Sequence, residues 1–350
     1  MPTPTIPAGN LFFNATTYTG TGAALTVANG VAGQSFQPDL VWIKCRSNAF
    51  NNNLVDSVRG ITKDLLSNTT DTESTIASFT SFNSNGFTFS NDNAQRLNDS
   101  AATYVAWNWK AGGTAVSNTD GTITSSVSAN QTSGFSVVTY TGTGSNGTVG
   151  HGLSVLGVAP QMVIVKRRDL APSSWTVWHT NFSSIQYIYL NLTNAVSSSS
   201  GSTVWNSTLP SSSVISLGTY TDVNASGGTY VAYCWAPIAG YSAFGSYTGN
   251  GSADGPFIYT GFRPKFVMIK SSSAGFGWII YDSARNTFNE MGARLFPNSS
   301  SAETTLGSFD FLSNGFKIRF GSGLQEINNT GGTYIYACWA ENPFKYANAR

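Results

Sequence analysis

The sequence predicts an all-β chain of three tandem antiparallel β-sandwich modules, jelly-roll or lectin-like in kind. The first observation behind this is repetition. TYVAWNWK (Thr103–Lys110) returns as TYVAYCWA (Thr229–Ala236) and as TYIYACWA (Thr333–Ala340). TYTGTG (Thr17–Gly22) returns at Thr139–Gly144 and as SYTGNG at Ser246–Gly251, and FQPDLVWIK (Phe36–Lys44) as VAPQMVIVK (Val158–Lys166) and FRPKFVMIK (Phe262–Lys270). The second is spacing. From Pro38 to Tyr104, Pro160 to Tyr230 and Pro264 to Tyr334 the intervals are 66, 70 and 70 residues, and a constant internal interval marks a repeated structural unit. The third is composition: 10% charged and 13% aromatic residues with 36 glycines in 350, where ordinary domains carry roughly 25% charge. Hydroxyls and amides supply the polarity, and such residues favour strands and turns over helices.

Taken in chain order, the expected layout is an N-terminal arm (1–10), a first unit (11–112), a linker (113–133), a second unit (134–238) and a third (239–350). Each unit has roughly 100 residues, a usual domain size. The stretch AGGTAVSNTDGTITSSVSANQTS (Ala111–Ser133) is rich in Gly, Ser and Thr with almost no large apolar side chain, which reads as a flexible linker. The second junction, APIAGY (Ala236–Tyr241), is short. Units two and three are therefore expected to be stiffly coupled, with unit one free to swing.

Within each unit, the TYTGTG phrase reads as a strand running into a Gly-rich turn. The FVMIK phrase is an apolar strand ended by a lysine, expected at the rim. In TYVAYCWA, Tyr230, Ala232 and Cys234 point one way and Val231, Tyr233 and Trp235 the other. Both sets are apolar or aromatic, so this strand is expected to be covered on both faces and its aromatic stripe to be core rather than a ligand platform. Gly-Gly or Ala-Ala before it (Gly227–Gly228, Gly331–Gly332, Ala101–Ala102) supplies the turn. Gly60–Leu66 and Thr287–Leu295 are the only helical candidates, both short. Units one and three also share LVDSVRG with IYDSARN, LLSNTTDTE with LFPNSSSAE and NSNGFTF with LSNGFKI; the middle unit has drifted from these.

Charge excludes some partners. A net charge of +1 creates no field for nucleic acid or an anionic membrane, and the densest basic cluster, Lys166–Arg168, reads as a strand end. No apolar stretch approaches the roughly 20 residues of a membrane span, so no membrane insertion is expected. MPTPTIPAGN lacks the basic start and apolar run of a secretion signal. Three cysteines, Cys45, Cys234 and Cys338, cannot pair completely. Cys234 and Cys338 hold the same place in their repeats and are expected far apart, so all three read as buried reduced thiols made in a cytosol. The N-x-S/T sequons, such as those at Asn14 and Asn68, are then by-products of composition.

Residues that could carry chemistry are few. The GTG of TYTGTG lacks the following lysine and the strand-to-helix context of a phosphate loop, so it reads as a turn. His151 and His179 are the two histidines. His179 falls near the place of Asp56 and Asp282, whose neighbours are Ser57 and Ser283, and a Ser-His-Asp set would need different modules to converge. Metal-ligand spacing of His and Cys is absent. Asp282, Glu303 and Asp310 are the densest carboxylates, yet Asp282 and Glu303 have counterparts in Asp56 and Glu73. The equal intervals Asn68 to Glu73 and Asn298 to Glu303, with the recurrent Asp-Ser, read as turn caps; calcium at a loop is the second reading. The expectation is no catalytic, cofactor-binding or metal-ligating residue, and no enzyme.

FQPDLVWIK, LVDSVRG, NSNGFTF and YVAWNWKAGG, with the closing YACWAENPFKYANAR, resemble an uncharacterised repeat domain of tailed-phage virion proteins from marine and freshwater phages, including those of cyanobacteria. The resemblance covers nearly the whole chain, once per unit, and is weakest in unit two. It implies a place in the virion after synthesis in the host cytoplasm, and it carries no site residues. The leading expectation is a surface-displayed structural protein, a capsid decoration or tail-associated component, that binds other virion proteins and forms a homo-oligomer. The alternative is a tail fibre or adhesin module that binds host surface polysaccharide; a glycan-degrading tailspike enzyme is third. The globular repeats begin by Leu11 and run to the last residues, which favours a compact block over a long fibre.

Overall fold

Alternation of side chains across a strand decides what the recurrent TYVAYCWA phrase builds. The structure, a computed structural model, describes residues 6, 8–31, 33–91, 96–198, 200–321 and 323–341. Most of the expected N-terminal arm, and residues 342–350 of the third unit, lie outside the described residues. The chain is all-β, in several antiparallel sheets with only short helical turns. Among the described residues no helix is long and apolar enough to cross a membrane.

Three strands, Thr103–Trp109, Thr229–Trp235 and Thr333–Ala340, each lie inside a larger sheet between two antiparallel neighbours. The neighbours are Phe13–Thr19 and Leu40–Cys45 in the first, Phe135–Thr141 and Met162–Arg167 in the second, and Ser242–Thr248 and Pro264–Ser271 in the third. Register is also matched: Trp109 faces Phe13 and Leu40, Trp235 faces Phe135 and Met162, and Trp339 faces Ser242 and Phe266. A fourth strand follows in each case, Asn52–Asp56, Thr176–His179 and Trp278–Asp282. Smaller sheets cover the outer faces: Leu25–Ala28 with Gly86–Phe89 and Phe79–Asn83, Gly147–Gly150 with Val214–Leu217, and Phe257–Tyr259 with Gly315–Ile318, Thr304–Leu312 and Met291–Arg294.

The repeated phrases persist because they interlock. Tyr18 stacks on Tyr104 with ring centroids 4.9 Å apart, Tyr140 on Tyr230 at 5.1 Å and Tyr247 on Tyr334 at 5.0 Å. Each pair spends its hydroxyls on main-chain carbonyls of the loop before the central strand, as Tyr18 does on Leu97, Tyr140 on Val223 and Tyr247 on Ile327, so these buried phenols are paired as burial requires. The Gly-rich turn is pinned by an asparagine amide oxygen that accepts from Thr21, Thr143 or Asn250 N–H (Asn98, Asn224, Asn328). Gly22, Gly144 and Gly251 adopt φ of +67°, +73° and +68° there, the left-handed region that excludes most side chains.

The central strand is apolar on both faces because it serves two cores. In the first and third segments, Tyr104 and Ala106, or Tyr334, Tyr336 and Cys338, pack beneath the smaller sheet of their own segment. The alternate residues, Val105, Trp107 and Trp109, or Ile335, Ala337 and Trp339, join one shared core with the second segment. There the three strand-ending tryptophans meet, with centroids 5.4 Å (Trp109–Trp339), 5.9 Å (Trp235–Trp339) and 6.1 Å (Trp109–Trp235) apart. Equivalent positions that the sequence placed far apart are in mutual contact, so the first segment is locked into the body and does not swing.

Two further expectations are corrected. The 113–133 stretch is not a free linker: Val116–Asn118 and Ser125–Asn130 are strands, and Ser125–Asn130 pairs with Phe135–Thr141 over six positions. It needs few large apolar residues because it extends an existing sheet, burying Ile123 and Val127 and pairing the Ser125 and Ser128 hydroxyls with Gly150 O and Gly112 N. The helical candidates carry strands instead, Lys63–Leu66 and Met291–Arg294. Tertiary pairing, Leu54 with Leu65 and Ile280 with Leu295, overrides their local propensity.

Candidate functional site

The polar side chains with chemical capacity collect at the three seams where one segment meets the next. Asp56 ends the fourth strand of the first segment, and its Oδ1 accepts from the N–H groups of Val58 (3.1 Å) and Arg59 (2.8 Å), the turn cap expected of it. Its Oδ2 accepts from Arg59 Nε and, across the seam, from the Tyr233 hydroxyl at 2.8 Å. Arg59 Nη1 reaches Glu73 (3.1 Å), and Glu73 is held by a two-pronged contact from Arg168 of the second segment at 2.8 and 2.9 Å.

The seam between the third and first segments repeats this. Asp282 Oδ1 caps Arg285 N–H (3.0 Å), while Oδ2 accepts from Arg285 Nε (2.6 Å) and from Trp107 Nε1 of the first segment (2.9 Å). Arg285 Nη1 binds Glu303 (3.0 Å), which takes two bonds of 2.9 Å from Arg46. Burial pushes Glu73 and Glu303 up, but hydrogen bonds and charge from Arg168 and Arg59, or Arg46 and Arg285, outweigh it and hold both below the ordinary glutamate range. These carboxylates are anionic clamps with no proton to donate. Asp310 stands apart, paired with Arg319 at 3.2 Å.

At the third seam, between segments two and three, the whole set is exchanged. His179 takes the place of the aspartate, Phe182 that of the arginine, and the Tyr233 or Trp107 position is Ala337, which offers no donor. The main-chain bond that Glu73 and Glu303 N–H make to Arg168 and Arg46 is made here by Val196 N–H to Ser272 O (3.0 Å). His179 Nδ1 accepts from Asn181 N–H (3.3 Å), so its Nε2–H donates to Tyr336 O at 3.1 Å. Burial lowers its pKa to about 4, against the opposing pull of that carbonyl, and the ring is neutral. His151 is likewise fully engaged, through Leu153 N–H and Ser211 O.

Each seam also carries a lysine that sequence reasoning put at the rim. Lys44, Lys166 and Lys270 are fully buried. Among the described residues their ammonium groups donate to carbonyls: Lys44 to Phe50 and Ser300, Lys166 to Ser173 and Thr70, Lys270 to Ser271 and Thr193. In each case one of the two carbonyls belongs to the adjoining segment. Burial lowers the three pKa values to about 8, 8 and 7. Indole and amide donors finish the seams, with Trp175 Nε1 on Leu66 O and Trp278 Nε1 on Tyr189 O at 2.9 Å each, and Asn52 Nδ2 on Ser299 O at 2.9 Å. The contacts run from segment one to two, two to three and three to one. Head-to-tail contacts that close in this way form a ring, with the tryptophan triad at its middle.

The remaining sequence candidates fall elsewhere. Ser57 Oγ donates to Asp39 (2.7 Å) and Ser283 Oγ to Glu341 (2.9 Å), so neither faces a histidine. Asn68 and Asn298 accept from Asn52 and Trp278 N–H at 2.8 Å, which is turn and strand bracing. The three cysteines are free and buried, and burial pushes the Cys234 thiol up to about 12. Among the described residues no group of three or more His, Cys, Asp or Glu is arranged to hold a metal. The calcium reading had rested on these Asp and Glu oxygens, which are taken up by arginine and main-chain donors.

One open cleft, of about 380 Å³, lies at the seam of segments three and one and is lined by Phe50, Asn51, Asn53, Asp64, Arg96 and Ser300 among others. The Arg96 guanidinium lies 4.7 Å from the Phe50 ring centroid. Asn53 Nδ2 donates to Asp64 Oδ2 (2.6 Å). Burial raises the Asp64 pKa to about 7, although Asn53, Arg59 and nearby backbone amides oppose it. The corresponding cleft of the third segment, about 220 Å³, includes Phe296, Asn298 and Glu326. By pairing register Arg294 stands there where Asp64 stands in the first segment. Asp64 lies in the Gly60–Leu66 stretch read as helical, and nothing in that stretch marks it as a site residue.

Residues 8–343 match the model of a family described as a domain of unknown function, DUF7483, and the chain belongs to that family. No curated protein and no solved structure matches the chain.

Proposed function

Starting from that family membership, we propose that the chain is a non-enzymatic structural protein of a tailed-phage particle, built from three copies of one β-sandwich module. It is displayed on the particle surface as a capsid decoration or tail-associated component and held by protein–protein contact, in a fixed copy number and as an oligomer. The observation that carries this is the use made of the polar side chains. The acids, arginines and lysines best suited to chemistry, with His179, are consumed in joining three segments around a common tryptophan core, and what faces outward is loops and strand edges. The phage origin rests on the sequence resemblance.

The near-neutral charge means that the contact with the particle is carried by apolar and hydrogen-bonded area, which salt screens little. Purified protein is mixed with particles lacking it, in low and in molar salt, and the bound fraction is measured. Binding retained in molar salt, with density over the capsid lattice or at the tail by imaging, supports the proposal. Binding that vanishes in salt overturns the interface argument, and depolymerisation of host capsule or lipopolysaccharide overturns the non-enzyme reading.

A second reading, attachment to host surface polysaccharide, is favoured by one feature. The Asp64 cleft combines an aromatic face, two carboxamides and a carboxyl, the groups that hold sugars by stacking and hydrogen bonds. Asp64→Asn and Phe50→Ala variants that lose cell or glycan binding but keep particle binding would place attachment there.

A further inference from the structure

The second and third segments treat one sheet edge differently. In the second segment the smaller sheet ends at the strand Gly147–Gly150, paired on its inner side with Val214–Leu217. Its outer side is covered by the 118–125 stretch, which runs parallel to it through an Ile123–Val149 bridge. Ile123 N–H donates to Thr148 O (2.9 Å), Thr148 N–H to Thr122 Oγ1 (2.9 Å) and Ser125 Oγ to Gly150 O (3.0 Å). The Thr148 N–H and C=O and the Gly150 C=O are thus satisfied by a hydroxyl-rich stretch with one aliphatic side chain.

Among the described residues, the third segment presents the same edge without a cover. Its strand Phe257–Tyr259 is outermost in the order Phe257–Tyr259, Gly315–Ile318, Thr304–Leu312, Met291–Arg294. The register Ile258 with Phe316 corresponds to Val149 with Ile215, so Phe257 and Tyr259 stand where Thr148 and Gly150 stand. Ile318 N–H donates to Pro256 O and Thr260 N–H to Asn314 O. This alternation turns the N–H and C=O groups of Phe257 and Tyr259 outward. The two residues are 45% and 52% exposed beside a buried Ile258. The short Ala236–Tyr241 junction leaves no chain between segments to cover this edge, as 113–133 does in the second. An uncovered edge with large apolar residues is a template for another strand.

We propose that the Phe257–Tyr259 edge is a docking site for an extended segment of a partner protein, added as a parallel strand. The occupant has the chemistry of the internal example: uncharged at its centre, rich in Ser and Thr, with a single aliphatic residue, its flanks lying against the Phe257 and Tyr259 rings. Main-chain bonds supply affinity and the two rings supply selection. A second copy of this chain pairing edge to edge across a twofold axis would run antiparallel, unlike the strand already seated on the equivalent edge. The proposal rests on the assembly role above only in taking the partner to be a protein.

The test uses the full chain and a peptide with the sequence of residues 118–125. Amide hydrogen exchange is followed by mass spectrometry as the peptide is titrated. The expected result is at least tenfold slower exchange across Phe257–Tyr259 at saturation. Phe257→Pro, which removes an outward N–H and is tolerated on an edge strand, weakens binding about tenfold, the loss of one such contact. Tyr259→Lys weakens it similarly with an unchanged thermal midpoint, which guards against a folding defect in the proline variant. Protection confined to Gly147–Gly150, equal protection in both variants, or protection without peptide that grows with protein concentration each overturns the proposal. Peptide docking alongside failure of the salt-resistant particle binding refutes the assembly role and leaves the edge assignment standing.

Discussion

Replacing Trp339 by alanine tests whether the segments share one core. Trp339 is 2% exposed and contacts Trp109, Trp235, Phe13, Phe244 and Phe266 with ring centroids 5.4, 5.9, 5.7, 5.6 and 5.5 Å away. A buried tryptophan removes about 150–250 Å² from water, and at about 25 cal/mol per Å² this is about 4–6 kcal/mol. Tryptophan-to-alanine changes in cores cost about 3–5 kcal/mol. With aromatic partners from all three segments unable to close the gap cheaply, Trp339→Ala should lie near 4–5 kcal/mol. Urea unfolding followed by near-ultraviolet circular dichroism should show one transition moved to lower denaturant with an unchanged slope. Hydrogen exchange should accelerate in the strands Thr103–Trp109 and Thr229–Trp235 as well as in Thr333–Ala340. A loss below about 1.5 kcal/mol, or acceleration confined to the third segment, would refute the shared-core argument.

Lys270 has a folded pKa of about 7, while an unfolded lysine titrates near 10.4. Between these values the unfolded chain binds more protons, so stability rises with pH. Lys270→Met should flatten that rise in thermal midpoints measured from pH 7 to 10; an unchanged slope would mean that the ammonium is hydrated. Glu303→Gln leaves Arg46 and Arg285 without their shared carboxylate and should cost about 3 kcal/mol, with little relief in salt. Because the folded pKa of Glu303 is depressed, its contribution is present above the unfolded value near 4.3 and is lost as pH falls through the folded one; a mutational cost that stayed constant at lower pH would contradict this. His179→Asp places an unpaired carboxylate in the seam that lacks an arginine and should cost about 3 kcal/mol. Adding Phe182→Arg should recover at least half of that cost in chemical denaturation, and no recovery would refute the equivalence of the three seams.

Local pattern determined much of this protein from the sequence alone. Apolar residues on both sides of Thr229–Trp235 required a strand covered on both faces, and TYTGTG required a strand with a glycine at positive φ after it. The matched intervals marked Tyr104, Tyr230 and Tyr334 as equivalent positions of one repeated unit. Asp56 and Asp282 were legible as turn caps because a cap is made within three residues.

What only the tertiary structure decided is where the second face goes. An alternating strand states that both faces are buried, not whether the covering layer comes from its own segment or the next. The Glu73–Arg168 and Arg46–Glu303 clamps join residues 95 and 257 positions apart, beyond any periodicity. The one signal for the buried lysines was their recurrence at the ends of VWIK, VIVK and VMIK. A lysine kept in the same place of three apolar strands suits a buried ammonium as well as a rim one. The difference lies in the facing carbonyls, which closure of the ring brings up from the neighbouring segment, and only then does burying the charge cost less than exposing the strand.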